Sequence, residues 1–378
     1  MGINVYAYRG ERVMVFFDEQ LLVRARDFIC STLLSGAGKE EHPVLVIYHG
    51  DGDGCCAAYF LKRYISSPAI FYWVATPDFD FTKAEDYISQ QMPLLSIFLD
   101  MPVYNRPEMI ERLSSRGGVF IYDHHHPGVC DVFHDKDNVL YINPVVHQNG
   151  RDFPTALLGW ELLTEKAEFE KEILFMGLFT ETWLDKAFLF GEFSATHQAW
   201  LKEVARRVHA SFLIQDMSTT HYALNFLFKA SAGSSISEEQ LQTMREYHIL
   251  EDIYDLIQNE KGWLIMRLKT EIKRLTNPKF ILKRIESKMR LCGLIASELR
   301  WGYPDLVIGI WQRWRQRFYC ELRRGKDCGI DLASLVERVK SEAQLITGGG
   351  HPAAAAFTAE GDGFFEALDR VRYHIKGQ

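Results

Sequence analysis

Three clusters of acids and histidines could do chemistry: His49-Gly50-Asp51-Gly52-Asp53-Gly54, a single Asp100, and Asp123-His124-His125-His126. Two histidines with several aspartates suit Mn²⁺ or a similar divalent ion, being harder donors than the thiolate sets that favour structural zinc. Asp51 and Asp53 are spaced so that they can serve neighbouring positions in one site. With Asp100 as a bridge, two ions would lie about 3.5–4 Å apart, the spacing that clamps attacking and leaving oxygens in phosphoryl transfer. Water held between such ions loses a proton near neutral pH, so no side-chain nucleophile is required.

Each cluster directly follows a short apolar run: residues 44–48, 94–99 and 119–122. These runs are of strand length, rich in β-branched and aromatic residues, and separated by segments such as 57–64 and 107–114 that can hold helices. The pattern predicts an α/β fold with a parallel sheet and crossover connections. Ligands of open parallel sheets gather at the carboxyl ends of the strands, so the three clusters should converge. Taken singly, each has a plainer reading: Asp51-Gly52-Asp53-Gly54 as a tight turn, the three histidines as a surface cluster, Asp100 as an ordinary acid. Their recurrence after three buried-strand patterns favours a shared site.

In order and spacing, His49-Gly50-Asp51-Gly52-Asp53-Gly54, Asp100-Met101-Pro102 and Asp123-His124-His125 resemble the successive motifs of the DHH phosphoesterase superfamily. That superfamily includes RecJ-type exonucleases, nano-RNases, cyclic-dinucleotide phosphodiesterases and family II inorganic pyrophosphatases. The resemblance implies that His49 and Asp51 bind one metal, Asp53 and His124 the other, and Asp100 both. It gives Asp123 an orienting role through hydrogen bonds and places His125 near the scissile phosphate. The fourth motif usually supplies Asp before Thr; Glu181-Thr182 stands here instead, with Asp185 as a substitute ligand. The implied cofactors are two divalent ions, Mn²⁺ first, with Mg²⁺ or Co²⁺ as alternatives.

Near the carboxyl terminus, Gly348-Gly349-Gly350-His351 followed by four alanines resembles the signature of the DHHA1 domain that accompanies many of these enzymes. Glycines let backbone N–H groups approach a phosphate, and a helix start after them would favour the anion further. Thr347 and Ala356 stand where the family commonly has further glycines. Arg323 falls where the family places a substrate-gripping arginine, beside Arg324 and Lys326; a planar guanidinium suits phosphate. Trp311, Trp314, Phe318 and Tyr319 interleave with Arg313, Arg315 and Arg317, and alternation along a strand places most of these aromatics in a core.

A chain of 378 residues has room for more than one core. The expected division is a DHH catalytic domain over 1–190, with an extension at 1–42, a helical insert or connector over 191–290, and a smaller α/β DHHA1 domain over 291–378. The active site is expected in the cleft between the domains. Seven scattered cysteines without a C-x-x-C pair argue against a disulfide framework and a structural zinc site. No apolar run approaches membrane-spanning length and no secretory signal is evident, so a cytoplasmic protein without a membrane partner is expected. A net charge of −7 argues against gripping long duplexes.

Together with the resemblance, these features predict a metal-dependent phosphodiesterase that cuts short 5′-phosphorylated oligoribonucleotides, such as the linear dinucleotides pGpG or pApA, to mononucleotides. The alternatives are a 3′-phosphoadenosine 5′-phosphate phosphatase, a RecJ-like single-strand exonuclease, an exopolyphosphatase, or a nucleotide-binding regulator whose site has decayed at Glu181. A homodimer through the insert is compatible with the sequence.

Overall fold

The strand VLVIYH at 44–49 is buried along almost its whole length, as are LSIFL at 95–99 and GVFIY at 118–122. Continuous rather than alternating burial is the mark of parallel strands covered on both faces. The structure is a computed structural model, which describes residues 4–8, 11–15, 17–35, 44–65, 69–74, 90, 93–103, 106–125, 136–148, 153–181, 193–214, 217–231, 236–275, 280–314, 317–343, 345 and 347–377. Thr182, Asp185 and His126 lie outside them. No helix among the described residues is long and apolar enough to cross a membrane.

In chain order the first elements are β1 (Asn4–Tyr8), β2 (Glu11–Val15), α1 (Glu19–Ser35), β3 (Val44–His49), α2 (Gly52–Tyr64), β4 (Ala69–Val74), β5 (Leu95–Leu99), α3 (Pro107–Ser114), β6 (Gly118–Tyr122) and β7 (Val139–Ile142). There follow α4 (Pro144–His147), α5 (Thr155–Leu162), α6 (Glu168–Thr180), α7 (Ala195–Ile214), α8 (Met217–Ala230), α9 (Glu238–Leu241) and α10 (Arg245–Ile272). β1 and β2 form a separate antiparallel pair. The remaining strands build an all-parallel sheet of order β4-β3-β5-β6-β7. Three of its five strands are those expected from the apolar runs; β4 and β7 are additional to them.

One face of this sheet, through Leu45, Ile47, Phe98, Val119 and Ile121, packs on Met109, Ile110 and Leu113 of α3. Helices α2, α5 and α6 pack on one another. Their close approach depends on small residues: a Cβ at Gly177 would stand 2.7 Å from that of Ala156 and 3.1 Å from that of Cys56. Burial of each large apolar side chain here contributes about 1.5–3 kcal/mol.

The later elements are β8 (Phe280–Arg284), α11 (Cys292–Leu299), β9 (Val307–Trp314), β10 (Arg317–Arg324), α12 (Leu332–Glu342), β11 (Thr347–His351), β12 (Ala354–Ala359) and α13 (Gly361–Lys376). They form a second sheet of order β11-β12-β10-β9-β8, in which only β8 and β9 run parallel. One face is sealed by Leu332, Leu335, Val336 and Val339 of α12 and by Phe364, Leu368 and Val371 of α13. Trp311 and Phe318 pack against this core, as the alternation predicts. The chain divides into two compact units, 1–212 with 216–251 and 213–215 with 252–378, so segment 191–290 is shared between them.

Candidate metal centre

The order β4-β3-β5-β6-β7 places successive strands first on one side of β3 and then on the other, which opens a crevice at the carboxyl ends of β3 and β5. Pairing register fixes what lines it. Tyr48 lies opposite Leu99, Leu99 opposite Tyr122, and Tyr122 opposite Ile142. The next residue of each strand therefore stands in one row at the sheet's edge: His49, Asp100, Asp123 and Asn143.

The turn after β3 is built by helix capping. Asp51 is the N-cap of α2 and accepts the Gly54 backbone N–H at 3.0 Å through Oδ1, a role that Asp fills well. Its other oxygen, Oδ2, lies 3.1 Å from His49 Nδ1. Gly54 must be glycine, because a Cβ there would sit 2.0 Å from the His49 carbonyl oxygen. Asp53, in the first turn of α2, is fully buried and accepts the backbone N–H groups of Thr155 and Ala156, each at 2.8 Å. It thus caps α5 as well.

Asp100 occupies the centre. Its Oδ2 lies 3.2 Å from His49 Nδ1, and its Oδ1 lies 3.2 Å from His124 Nε2 and 4.0 Å from His125 Nδ1. The Thr155 hydroxyl donates to Oδ1 at 3.3 Å. Asp100 has a backbone φ of 60°, the only positive value among described non-glycine residues; such strain collects where a side chain must be aimed. Asp123 holds His125 Nδ1 at 2.7 Å, while its own Oδ2 is buried without a hydrogen-bond partner among the described residues. Asn143, fully buried, donates to the His125 carbonyl at 2.8 Å and fixes this loop from the fourth strand tip.

Two triads can hold cations: His49, Asp51 and Asp100, and Asp100, His124 and His125, with candidate ligand atoms in each within 4.8 Å of one another. Asp100 belongs to both. Asp53 lies outside the second triad, its Oδ2 3.8 Å from His124 Nε2. Glu181 caps the carboxyl end of α6, whose Thr180 packs on Gly52. Burial first, then the charges of Asp51 and Asp100, push the Glu181 carboxyl up to about 7.

The donor set fits divalent cations. Burial, then Asp100 and Glu181, raises Asp53 well above the usual carboxylate range. Burial also works against ionised Asp100, but hydrogen bonds to His124 and His49 prevail and lower it. Burial pulls the His49 ring down, yet Asp51 and Asp100 overcome it and raise His49 to about 10. Carboxylates crowded this tightly in a dry site call for compensating positive charge. Cys55 and Cys56 lie beside them, but burial keeps both thiols protonated, which leaves oxygen and imidazole donors.

In the second sheet, His351 lies opposite Ala354, and Ala354 opposite Arg323, so His351 and Arg323 share one row two strands apart. Directly opposed residues of antiparallel strands point to the same face. The Arg323 guanidinium is held by Glu321 at 2.7 Å and Ser297 at 3.2 Å. Gly348, Gly349 and Gly350 form strand β11, and the alanines after them form a turn and then β12. The helix start expected after the glycines is absent because Ala354 to Ala359 completes the sheet by pairing with β10. Thr155, Asn143 and His209, none of them singled out from sequence, also reach the first site. Asn143-Pro144 and Pro154-Thr155 carry local helix-start signals, whereas His209 has none.

No protein-family model and no curated protein matches the sequence. Solved structures do match the fold. RecJ from Thermus thermophilus in complex with Mn²⁺ has a TM-score of 0.66 and 15% identity over 93% of this chain, which spans 55% of the length of that chain. An exonuclease RecJ bound to manganese has a TM-score of 0.65 at 16% identity, covering 93% of this chain and 94% of that one. The DHH domain of a protein placed in a family of ribosomal proteins gives 0.65 at 15%, covering 94% and 90%. The fold of the chain is thus similar to that of RecJ and of a DHH domain.

Proposed function

We propose that this protein is a two-metal phosphodiesterase that hydrolyses short 5′-phosphorylated oligoribonucleotides, with linear dinucleotides such as pGpG or pApA as the favoured substrates. The observation that carries the reading is Asp100, which faces His49 on one carboxylate oxygen and His124 on the other, each at 3.2 Å. A bridging carboxylate between two ligand groups is the geometry of two-metal phosphoryl transfer. The two RecJ structures, both holding manganese, support Mn²⁺ as the first choice.

Residues His49, Asp51, Asp53, Asp100, His124 and Glu181 would hold the pair of ions, which supply an activated water and charge neutralisation at the phosphate. Asp123 orients His125 through its Nδ1, leaving Nε2 as the ring nitrogen to meet a phosphate oxygen. Raised by Asp123 against the effect of burial, His125 favours its protonated form, suited to an anion. In the second unit, Arg323 and His351 on one row of one sheet are the groups to grip a terminal phosphate, with Gly348, Gly349 and Gly350 admitting it close to the backbone.

A second reading is a RecJ-type exonuclease on longer single strands, favoured by the likeness to the two RecJ structures. The net charge of −7 weighs against it, since long strands are held by many basic contacts. Incubation in Mn²⁺ buffer with a 5′-phosphorylated dinucleotide, a 24-mer, 3′-phosphoadenosine 5′-phosphate and pyrophosphate decides between them. The dinucleotide is expected to be cut fastest, and EDTA to stop the reaction. Faster cleavage of the 24-mer replaces the first reading by the second; no metal-dependent hydrolysis of any of the four removes both.

A further inference from the structure

Helix α7 belongs to the segment for which the motifs assign no role, yet its last turns reach the metal centre. The Gly52 backbone N–H points to His209 Nδ1 at 3.4 Å. The Phe212 ring meets the His49 ring edge-on, with centroids 4.7 Å apart and planes at 69°. His209 and Phe212 are themselves in contact, with ring centroids 6.1 Å apart, and Phe212 is buried.

Gly52 is the first residue of α2, and the N–H groups of a helix's first turn have no partner within the helix. Asp51 Oδ1 takes the N–H of Gly54, and the Asp51 carbonyl takes that of Cys55. His209 takes that of Gly52. An Nδ1 that accepts this bond carries its proton on Nε2, so the contact selects one tautomer. The bond fixes the peptide between Asp51 and Gly52, and with it the direction in which Asp51 Oδ2 faces His49. Phe212 acts on the other member of the pair, since a ring packed edge-on against His49 limits rotation of the imidazole whose Nδ1 faces both Asp51 and Asp100.

We propose that His209 and Phe212 are positioning residues for the His49–Asp51–Asp100 triad, His209 through the Gly52 N–H and Phe212 through the His49 ring, so that helix α7 is a structural part of the metal site. The inference rests on the metallo-phosphodiesterase reading. Residues that orient ligands from behind typically change metal affinity about 10–100-fold when removed.

The test is isothermal titration of the full chain with Mn²⁺, paired with thermal melting in EDTA. His209→Ala is expected to weaken one of the two binding events at least about tenfold while melting in EDTA as the wild type does. His209→Asn, whose Oδ1 can take the place of Nδ1, recovers most of that loss. Phe212→Leu, which keeps the apolar contact with its neighbours, weakens the same event and serves should His209→Ala fail to fold. Wild-type binding curves for folded His209→Ala, or for Phe212→Leu, overturn the inference and leave the functional reading standing. Absence of Mn²⁺ binding by the wild type overturns the functional reading, and this inference with it.

Discussion

Asp53 accepts the backbone N–H of Thr155, 102 residues away in the chain, at 2.8 Å. With the Ala156 N–H on its other oxygen, this carboxyl group ties the first turn of α2 to the start of α5 and orders the wall of the site.

Removal of that carboxylate should therefore be felt locally. In Asp53→Ala, the Thr155 and Ala156 amides lose their acceptor, and hydrogen exchange at the head of α5 should speed up while the central strands keep their protection. An orphaned buried N–H costs about 1–3 kcal/mol, which sets the scale of the lost protection. Unchanged exchange at Thr155 and Ala156 would mean that Asp53 serves only as a ligand.

The positive φ of Asp100 separates its two duties. Asn tolerates this left-handed region, so Asp100→Asn should stay folded in EDTA but lose the rise in melting temperature that Mn²⁺ gives the wild type. A ligand at 100 times its Kd stabilises by about 2.7 kcal/mol. Asp100→Val adds about 1–3 kcal/mol of backbone strain and should melt lower even in EDTA. Equal melting of the two variants in EDTA would refute the strain argument.

Two glycines should answer differently to alanine. Gly54→Ala sets a Cβ against the His49 backbone, and no rotamer change relieves it; loss of the folded protein, or of Mn²⁺ binding, is expected. Gly349 has nothing within 4 Å of its virtual Cβ, so Gly349→Ala should change stability by no more than about 0.5 kcal/mol. If this strand admits a phosphate, the same variant raises KM with little change in kcat. An unaltered KM would remove Gly349 from the substrate site.

Glu321 makes the stability of the second unit sensitive to acid. Burial alone would raise its carboxyl, but Arg323 first and Arg290 next overcome it and hold it below the usual 4.5. A depressed folded value means that the contribution is complete above pH 4.5 and is lost as pH falls through the lowered value. Glu321→Gln should flatten this acid limb in denaturant titrations. At neutral pH it should cost about 1.5–3 kcal/mol, the worth of hydrogen bonds to charged groups. An unchanged acid limb would show that Glu321 is ionised equally in the folded and unfolded chain.

The placement of the candidate site is legible in sequence because parallel strands buried on both faces are written as contiguous apolar runs, and the residues after them are those a carboxyl-end loop presents. His49, Asp51, Asp100 and His124 stand out in that way, and the structure brings them together. Glu181 is a candidate only through the resemblance to the family's fourth motif, which leaves Asp185, outside the described residues, as its rival. What tertiary structure alone decides is everything carried between elements far apart in sequence. The register that aligns His49, Asp100, Asp123 and Asn143, the capping of α5 by Asp53, and the row shared by Arg323 and His351 have no local signature. The same holds for the approach of His209 to Gly52. The glycine run shows the limit most plainly: its backbone freedom suits a loop before a helix as well as a strand, and pairing of β12 with both β10 and β11 selects the strand.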